Sequence, residues 1–435
     1  MKHSQSVTWI ALVGLFAALS SAWVSSPPGV LADNPGPPAE PVKLIFVHHS
    51  TGENWLADEN GGLGIALRDN GYFVSETYYG WGPAYAEDPE SGQTIGDYTD
   101  LRDWYSWFSG PHRDTYMAAL YAESGKWPDS AYYSRLATDP GGENRIVLFK
   151  SCFPNSNIDG NPTDEPAAYA DNTSDLTVAN AKRIYLDLLA YLASRPDKLF
   201  VAITAPPLAD FETDAGRAAN ARAFNNWLVN DWLAGYPYHN VAVFDFYNVL
   251  TSSSGSPEDS DVGQAGGNHH RWWNNAEQHV QEVDSNYSAY PSGDSHPSWA
   301  GNQKATAEFV PLLNVFYHRW QAGGAPAPTP APVATAVIDG GGGNLTSPDG
   351  RTSILLPPAA VAAPTVITFT GQDCRNPGRL ACTQHAFDLS AAAQAGGAPV
   401  STFDQPVTVA VHYGAGSTWG AIPATLGLYW MSGTT

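Results

Sequence analysis

The chain has 435 residues, 43% of them hydrophobic and 15% charged, with a formal net charge of −22 and three cysteines. That length and apolar content suffice for two or three packed domains and exclude a wholly disordered chain. The charge repels phosphate backbones and anionic bilayers, which argues against nucleic acid as a partner, and three cysteines are too few for a disulfide scaffold.

Lys2 precedes an apolar run from Trp9 to Leu19, and Val30, Leu31 and Ala32 form a small-residue cleavage pattern ahead of Asp33. Residues 1–32 therefore read as a secretory signal peptide, which predicts a secreted or extracellular protein. No later stretch reaches the roughly 18 consecutive apolar residues of a membrane span.

The stretch Lys43 to Trp55 reads KLIFVHHSTGENW. Leu44 to Val47 is the uninterrupted apolar run of a strand buried on both faces, and Ser50 falls at its carboxyl end, the edge of an open parallel sheet where ligands bind. Trp55 to Asn70 reads as a helix with a weak point at Gly61-Gly62, ended by Gly71. Tyr72 to Tyr79 is a second strand. A long aromatic insertion follows, from Gly80 to about Asn144, which reads either as a sugar- or aryl-binding cleft or as a self-packed cluster. Arg145 to Lys150 is a third strand, breaking into Ser151-Cys152-Phe153-Pro154-Asn155-Ser156-Asn157. Leu176 to Ser194 has helical spacing, Leu199 to Thr204 is strand four, Ala215 to Ala234 a helix, and Val241 to Phe246 strand five. Such alternation implies a parallel sheet covered on both faces.

Beyond strand five lies a polar, Gly-rich region with His269, His270, Trp272 and Trp273, then Gly293-Asp294-Ser295-His296-Pro297-Ser298-Trp299 and a final helix to about Trp320. Residues 322–336 form a Pro- and Ala-rich linker. Residues 337–435 hold short β-prone runs between Gly, Pro, Asp and Asn turns, an all-β sandwich that reads as short of its last strand after Leu426 to Trp430. Cys374 and Cys382 flank a turn and are expected to form a bridge, which leaves Cys152 as a buried structural thiol.

Acyl transfer by serine needs a base, a group to orient it and donors for the oxyanion. Ser50, His296 and Asp294 supply the first set. In their order along the chain these parts resemble the SGNH (GDSL-type) hydrolase superfamily over residues 42–321. The family's serine after the first strand corresponds to Ser50 in VHHSTGENW, its glycine after the second to Gly80 or Gly82 in TYYGWGP, its asparagine after the third to Asn155 or Asn157 in KSCFPNSN, and its histidine before the last helix to His296 in GDSHPSWAGNQKA. The resemblance implies catalysis by Ser50 and His296 with Asp294 orienting, and oxyanion donors among Gly80, Gly82, Asn155 and Asn157.

The departures are specific. His48-His49 replaces Gly-Asp before the serine, Ser-Cys-Phe-Pro-Asn replaces Gly-x-Asn-Asp, and Asp294 stands two residues before His296 where the family has three. Asp294 reads alternatively as a carboxylate stabilised at a helix N-terminus. His48 and His49 read first as a strand end with one ring packed and one exposed. The spacing of His269, His270 and His279 matches no familiar ligand frame, so no metal or cofactor is expected. Trp81, Trp272 and Trp273 are candidate substrate-binding residues.

The expected fold is α/β, a flavodoxin-like three-layer α/β/α sandwich with a five-stranded parallel sheet, plus the small C-terminal sandwich, whose VIDGGGGNLTSPDGRTSILLPPAAV loosely resembles a ZU5-like surface domain. The expected function is an exported serine esterase that cleaves acetyl or other short acyl esters, on a small molecule or polysaccharide, with a cell-surface partner for the C-terminal domain. A second reading is a non-catalytic glycan-binding or adhesion protein on a degenerate SGNH fold, which the altered serine and asparagine blocks favour.

Overall fold

The computed structural model describes residues 33–170, 176–253, 260–282, 285–323, 333–348, 350–372 and 386–412. The expected signal peptide, the Cys374–Cys382 bridge and the Leu426 to Trp430 stretch lie outside these residues.

Five strands, Val42–Val47 (β1), Tyr72–Thr77 (β2), Ile146–Lys150 (β3), Leu199–Ile203 (β4) and Val241–Phe244 (β5), form one parallel sheet in the order β2-β1-β3-β4-β5. Every residue in them is buried. Because successive side chains point to opposite faces, Ile45 and Val47 enter one core while Leu44 and Phe46 enter the other. A strand covered on both sides has no polar face to show, which is why these segments read as continuous apolar runs.

Helices cover the two faces separately. Ser50–Leu56 (α1) and Leu63–Asp69 (α2) belong to the core with Leu44 and Phe46. Trp104–Phe108 (α3), Arg113–Ala122 (α4), Val178–Ser194 (α5) and Ala215–Asn230 (α6) build the opposite core. Phe246–Val249 (α7) follows β5, and Trp299–Ala322 (α8) completes the first layer. Trp55 locks α1 into that layer: its ring lies 4.6 Å from Phe246 and 5.3 Å from Phe309, and its Nε1 donates to Thr306 Oγ1 at 2.9 Å.

Three segments differ from the sequence reading. The helix expected from Trp55 to Asn70 is two helices, the first beginning at Ser50, and Gly62 at φ 66° makes the break. The aromatic insertion contains α3 and α4 and packs into the core on that face of the sheet, with Trp104, Trp107 and Phe108 fully buried, Trp104 and Phe108 against Phe149 at 5.2 and 5.0 Å, and Trp81 stacked 6.0 Å from Trp107. The polar region after β5 contains an antiparallel hairpin, His269–Trp273 (β6) and Ala276–Val280 (β7). Asn274 and Asn275 turn it at φ 52° and 61°, a left-handed pair that asparagine tolerates better than other side chains.

The C-terminal strands are Val333–Ile338 (β8), Gly343–Thr346 (β9), Thr352–Leu356 (β10), Thr365–Gln372 (β11), Ala386–Ala393 (β12) and Thr408–Val411 (β13). They form two antiparallel sheets, β13-β10-β9 and β12-β11-β8, around Ile338, Leu345, Ile354, Leu356, Ile367 and Phe369. Strand structure thus starts at Val333, inside the range read as linker.

One buried ion network fixes α8 to the chain after β5. Lys304 is fully buried, and its ammonium donates to the carbonyls of Val249 at 2.7 Å, Asn268 at 2.9 Å and Ser252 at 3.1 Å and pairs with Asp261. Burial pushes the Lys304 pKa down, while Glu308 and Asp261 oppose that push. Removing the cation strands a buried carboxylate. Lys304→Met is expected to cost ~3–5 kcal/mol in denaturant unfolding, whereas Arg68→Met, which breaks the exposed Arg68–Asp69 pair, should cost under ~1 kcal/mol.

Candidate active site

β1 ends at Val47, and His48 and His49 lead directly into α1, whose first residue is Ser50. Glycine at 52 permits that turn, because a Cβ there would run into the His48 side chain. Both histidine rings are buried, which corrects the expectation that one would be exposed. His48 Nε2 lies 3.1 Å from Glu76 Oε2 on β2, and its Nδ1 lies 3.0 Å from the His49 carbonyl. His49 Nε2 donates to the Gly96 carbonyl at 2.7 Å. Burial pulls its pKa down to about 4, against the opposing pull of the Gly96 bond, so the ring is neutral in neutral solution. These two residues therefore serve as a buried brace for the turn that carries Ser50.

Ser50 Oγ stands 2.9 Å from His296 Nε2 across 246 residues of sequence. His296 Nδ1 stands 3.0 Å from Asp294 Oδ2, and Asp294 Oδ1 accepts the His296 backbone N–H at 2.9 Å. The carboxylate thus grips its histidine twice. Gly293, at φ 116°, starts the tight turn that brings a carboxylate only two residues upstream onto the ring. Burial works against the Asp294 charge, but the bonds from His296 outweigh it and hold the carboxyl below its usual range. The loop is anchored by Ser295, which is fully buried, hydrogen-bonded to Glu212 and accepts the Ala209 N–H at 2.9 Å.

Side chains around Ser50 and His296 come from two further loops, those after β2 and β3. Cys152 Sγ lies 3.7 Å from Ser50 Oγ and 2.7 Å from Thr51 Oγ1; it is a free, partly exposed thiol at the site and not the buried one expected. Phe153 meets His296 edge to face at 4.7 Å. Tyr79 stacks on His49 at 3.8 Å. Neither Tyr79 nor Cys152 was picked out for this role from the sequence, although both sit at strand ends that face Ser50.

Two of the expected oxyanion donors, Asn155 and Gly80, already donate to other groups. The Asn155 amide donates to Asp100 Oδ1 at 2.6 Å and to the Cys152 carbonyl at 3.2 Å, and its oxygen accepts the Leu101 N–H. The Gly80 N–H is bound to Asp97 Oδ1 at 2.8 Å. Gly82, at φ 88°, lies against Ile95, and the Asn157 oxygen accepts from Thr213 at 3.0 Å.

The tryptophans do not gather at the serine. Trp81 is buried and donates to Glu123 Oε2 at 2.6 Å, so it belongs to the packed insertion, not to a substrate surface. Trp272 packs on the α8-side core, and Trp273 lies 3.9 Å under the Arg271 guanidinium. Among the described residues, one buried set, Asp261, His269 and Glu308, holds metal-capable atoms within 4.8 Å of one another. The cation there is Lys304, and both His269 nitrogens face oxygens, Glu308 at 2.5 Å and the Gly266 carbonyl at 2.9 Å. That chemistry fits an internal ion network better than a metal centre.

No family model matches the chain, and no curated protein or solved structure matches it either.

Near Asn155, burial pushes the Asp103 carboxyl up to about 7, and neighbouring Asp100 adds to the push. A raised carboxyl keeps its proton in the folded protein after the unfolded chain has released it, so its contribution to stability falls as pH rises from 3.8 to about 7. Asp103→Asn should flatten that fall, measured as the difference in unfolding midpoint between about pH 4 and pH 7.

Proposed function

We propose that this protein is an SGNH-type serine ester hydrolase that cleaves short acyl esters, with Ser50 as nucleophile. The observation that carries the reading is the continuous relay Ser50–His296–Asp294. His296 Nε2 takes the Ser50 proton as Oγ attacks the ester carbonyl, and Asp294 holds the ring in the tautomer whose Nε2 is free to accept. After the alkoxide leaves with that proton, water attacks the acyl-serine by the same route in reverse.

Further support comes from the order of parts along the sheet. The parallel order 2-1-3-4-5 is that of flavodoxin-like folds, and Ser50 follows β1, beside the β1/β3 switch point where such folds bind ligands. Residues 1–32 support export, and among the described residues no helix is long and apolar enough to cross a membrane. Acylated glycans suit an exported esterase, and the C-terminal sandwich suits attachment to a surface partner; both remain part of the proposal.

One observation favours the second reading, a glycan-binding protein on a degenerate SGNH fold: the Asn155 amide is tied to Asp100 instead of facing Ser50 freely. Hydrolysis of p-nitrophenyl acetate separates the two. The esterase reading expects turnover that falls by about 10²–10⁴ in His296→Ala and is abolished in Ser50→Ala, with fluorophosphonate labelling of the parent confined to Ser50. A parent with neither turnover nor labelling would transfer the assignment to binding.

A further inference from the structure

Glu76 is a buried carboxylate on β2 that the acyl-transfer steps do not use. Its Oε1 accepts the Trp127 N–H at 3.0 Å and the Ser130 hydroxyl at 2.7 Å, and its Oε2 faces His48 Nε2 at 3.1 Å. The other nitrogen of that ring, Nδ1, faces the His49 carbonyl at 3.0 Å. A carboxylate and a carbonyl only accept, so both nitrogens donate and the fully buried His48 ring carries two protons. The ring has little room to turn, because it lies 4.5 Å from Phe46 and a Cβ at position 52 would strike it. The His49 carbonyl also accepts the N–H groups of Gly52 at 2.8 Å and Glu53 at 3.0 Å, which makes it the first acceptor of α1. That carbonyl and the Ser50 N–H belong to one planar peptide, so the ring that holds the oxygen also sets the plane from which Ser50 departs.

We propose that Glu76 is a positioning residue for the nucleophile: through the doubly donating ring of His48 it fixes the His49 carbonyl, and with it the peptide that carries Ser50. The role rests on Ser50 being the nucleophile, whose Oγ must stay aligned with His296 Nε2 at 2.9 Å. The same carboxylate ties the turn to the aromatic insertion through Trp127 and Ser130. Glu53 of α1 adds a second tie, accepting the Ala131 N–H at 2.7 Å and the Tyr78 hydroxyl at 2.6 Å. The segment from Trp127 to Ala131 is thus a splint for the serine turn, held by two carboxylates that never touch the ester.

Two variants at one position test the role. Glu76→Ala removes the anchor, whereas the Glu76→Gln amide accepts from Trp127 and Ser130 and donates to His48 Nε2, leaving Nδ1 on the carbonyl. The expected result is kcat on p-nitrophenyl acetate lowered about 10²-fold in Glu76→Ala, the loss that a misplacement of about 1 Å brings, with KM changed by less than about 3-fold. Glu76→Gln should restore kcat to within about 3-fold of the parent, and fluorophosphonate labelling of Ser50 should follow kcat in both. A folded Glu76→Ala protein with kcat within about twofold of the parent, or a Gln variant as slow as the Ala variant, would overturn the role of Glu76 while Ser50→Ala, inactive, still upheld the serine mechanism. Activity retained in Ser50→Ala would instead overturn the underlying reading. Nitrogen NMR of the folded parent gives a check that needs no variant: protons on both His48 ring nitrogens near neutral pH support the arrangement, and a bare ring nitrogen refutes it.

Discussion

The hydrogen bond between Ser50 and His296 sets the demands that the rest of the domain meets. Its two ends belong to the first strand and to the turn before the last helix, so it exists only if β1 lies within the sheet and α8 is docked against the same face as α1. Both conditions are hydrophobic. The full burial of β1 between β2 and β3 fixes where the serine emerges, and the contact of Trp55 with Phe246 and Phe309 joins α1 to α7 and α8. The polar site thus inherits its precision from apolar packing, as an open α/β sheet allows.

Around that bond the protein uses polar contacts to hold the site. His48 with Glu76, and His49 with Gly96, brace the turn from behind. Asp294 grips both the ring and the backbone of His296 from a position two residues away. The geometry at Ser50 is held by those bonds collectively.

The parallel sheet was legible because strands buried on both faces carry an unmistakable apolar signal, and Ser50, His296 and Asp294 were legible because they border such strands or a helix start. Three kinds of feature were not. The fate of Trp81 depended on whether the insertion packs into the core, and an aromatic residue reads the same in a core as in a cleft. The split of α1 from α2 turned on the left-handed Gly62, which a pattern of apolar spacing passes over. The β6–β7 hairpin was hidden by polar strands, although Asn274-Asn275 is the kind of pair that turns one. Tyr79 and the engagement of Asn155 depend on contacts between loops far apart in sequence, which no local pattern encodes.

The ammonium cage of Lys304 has a consequence for how α8 is anchored. Three carbonyls and a carboxylate converging on one point resemble the oxygen shell that secreted domains commonly fill with calcium, yet here the positive charge is tethered to α8 by its own side chain. A tethered charge cannot be stripped by a chelator or diluted away. The anchorage of α8 through this cage is therefore indifferent to the ion content of whatever medium surrounds the protein.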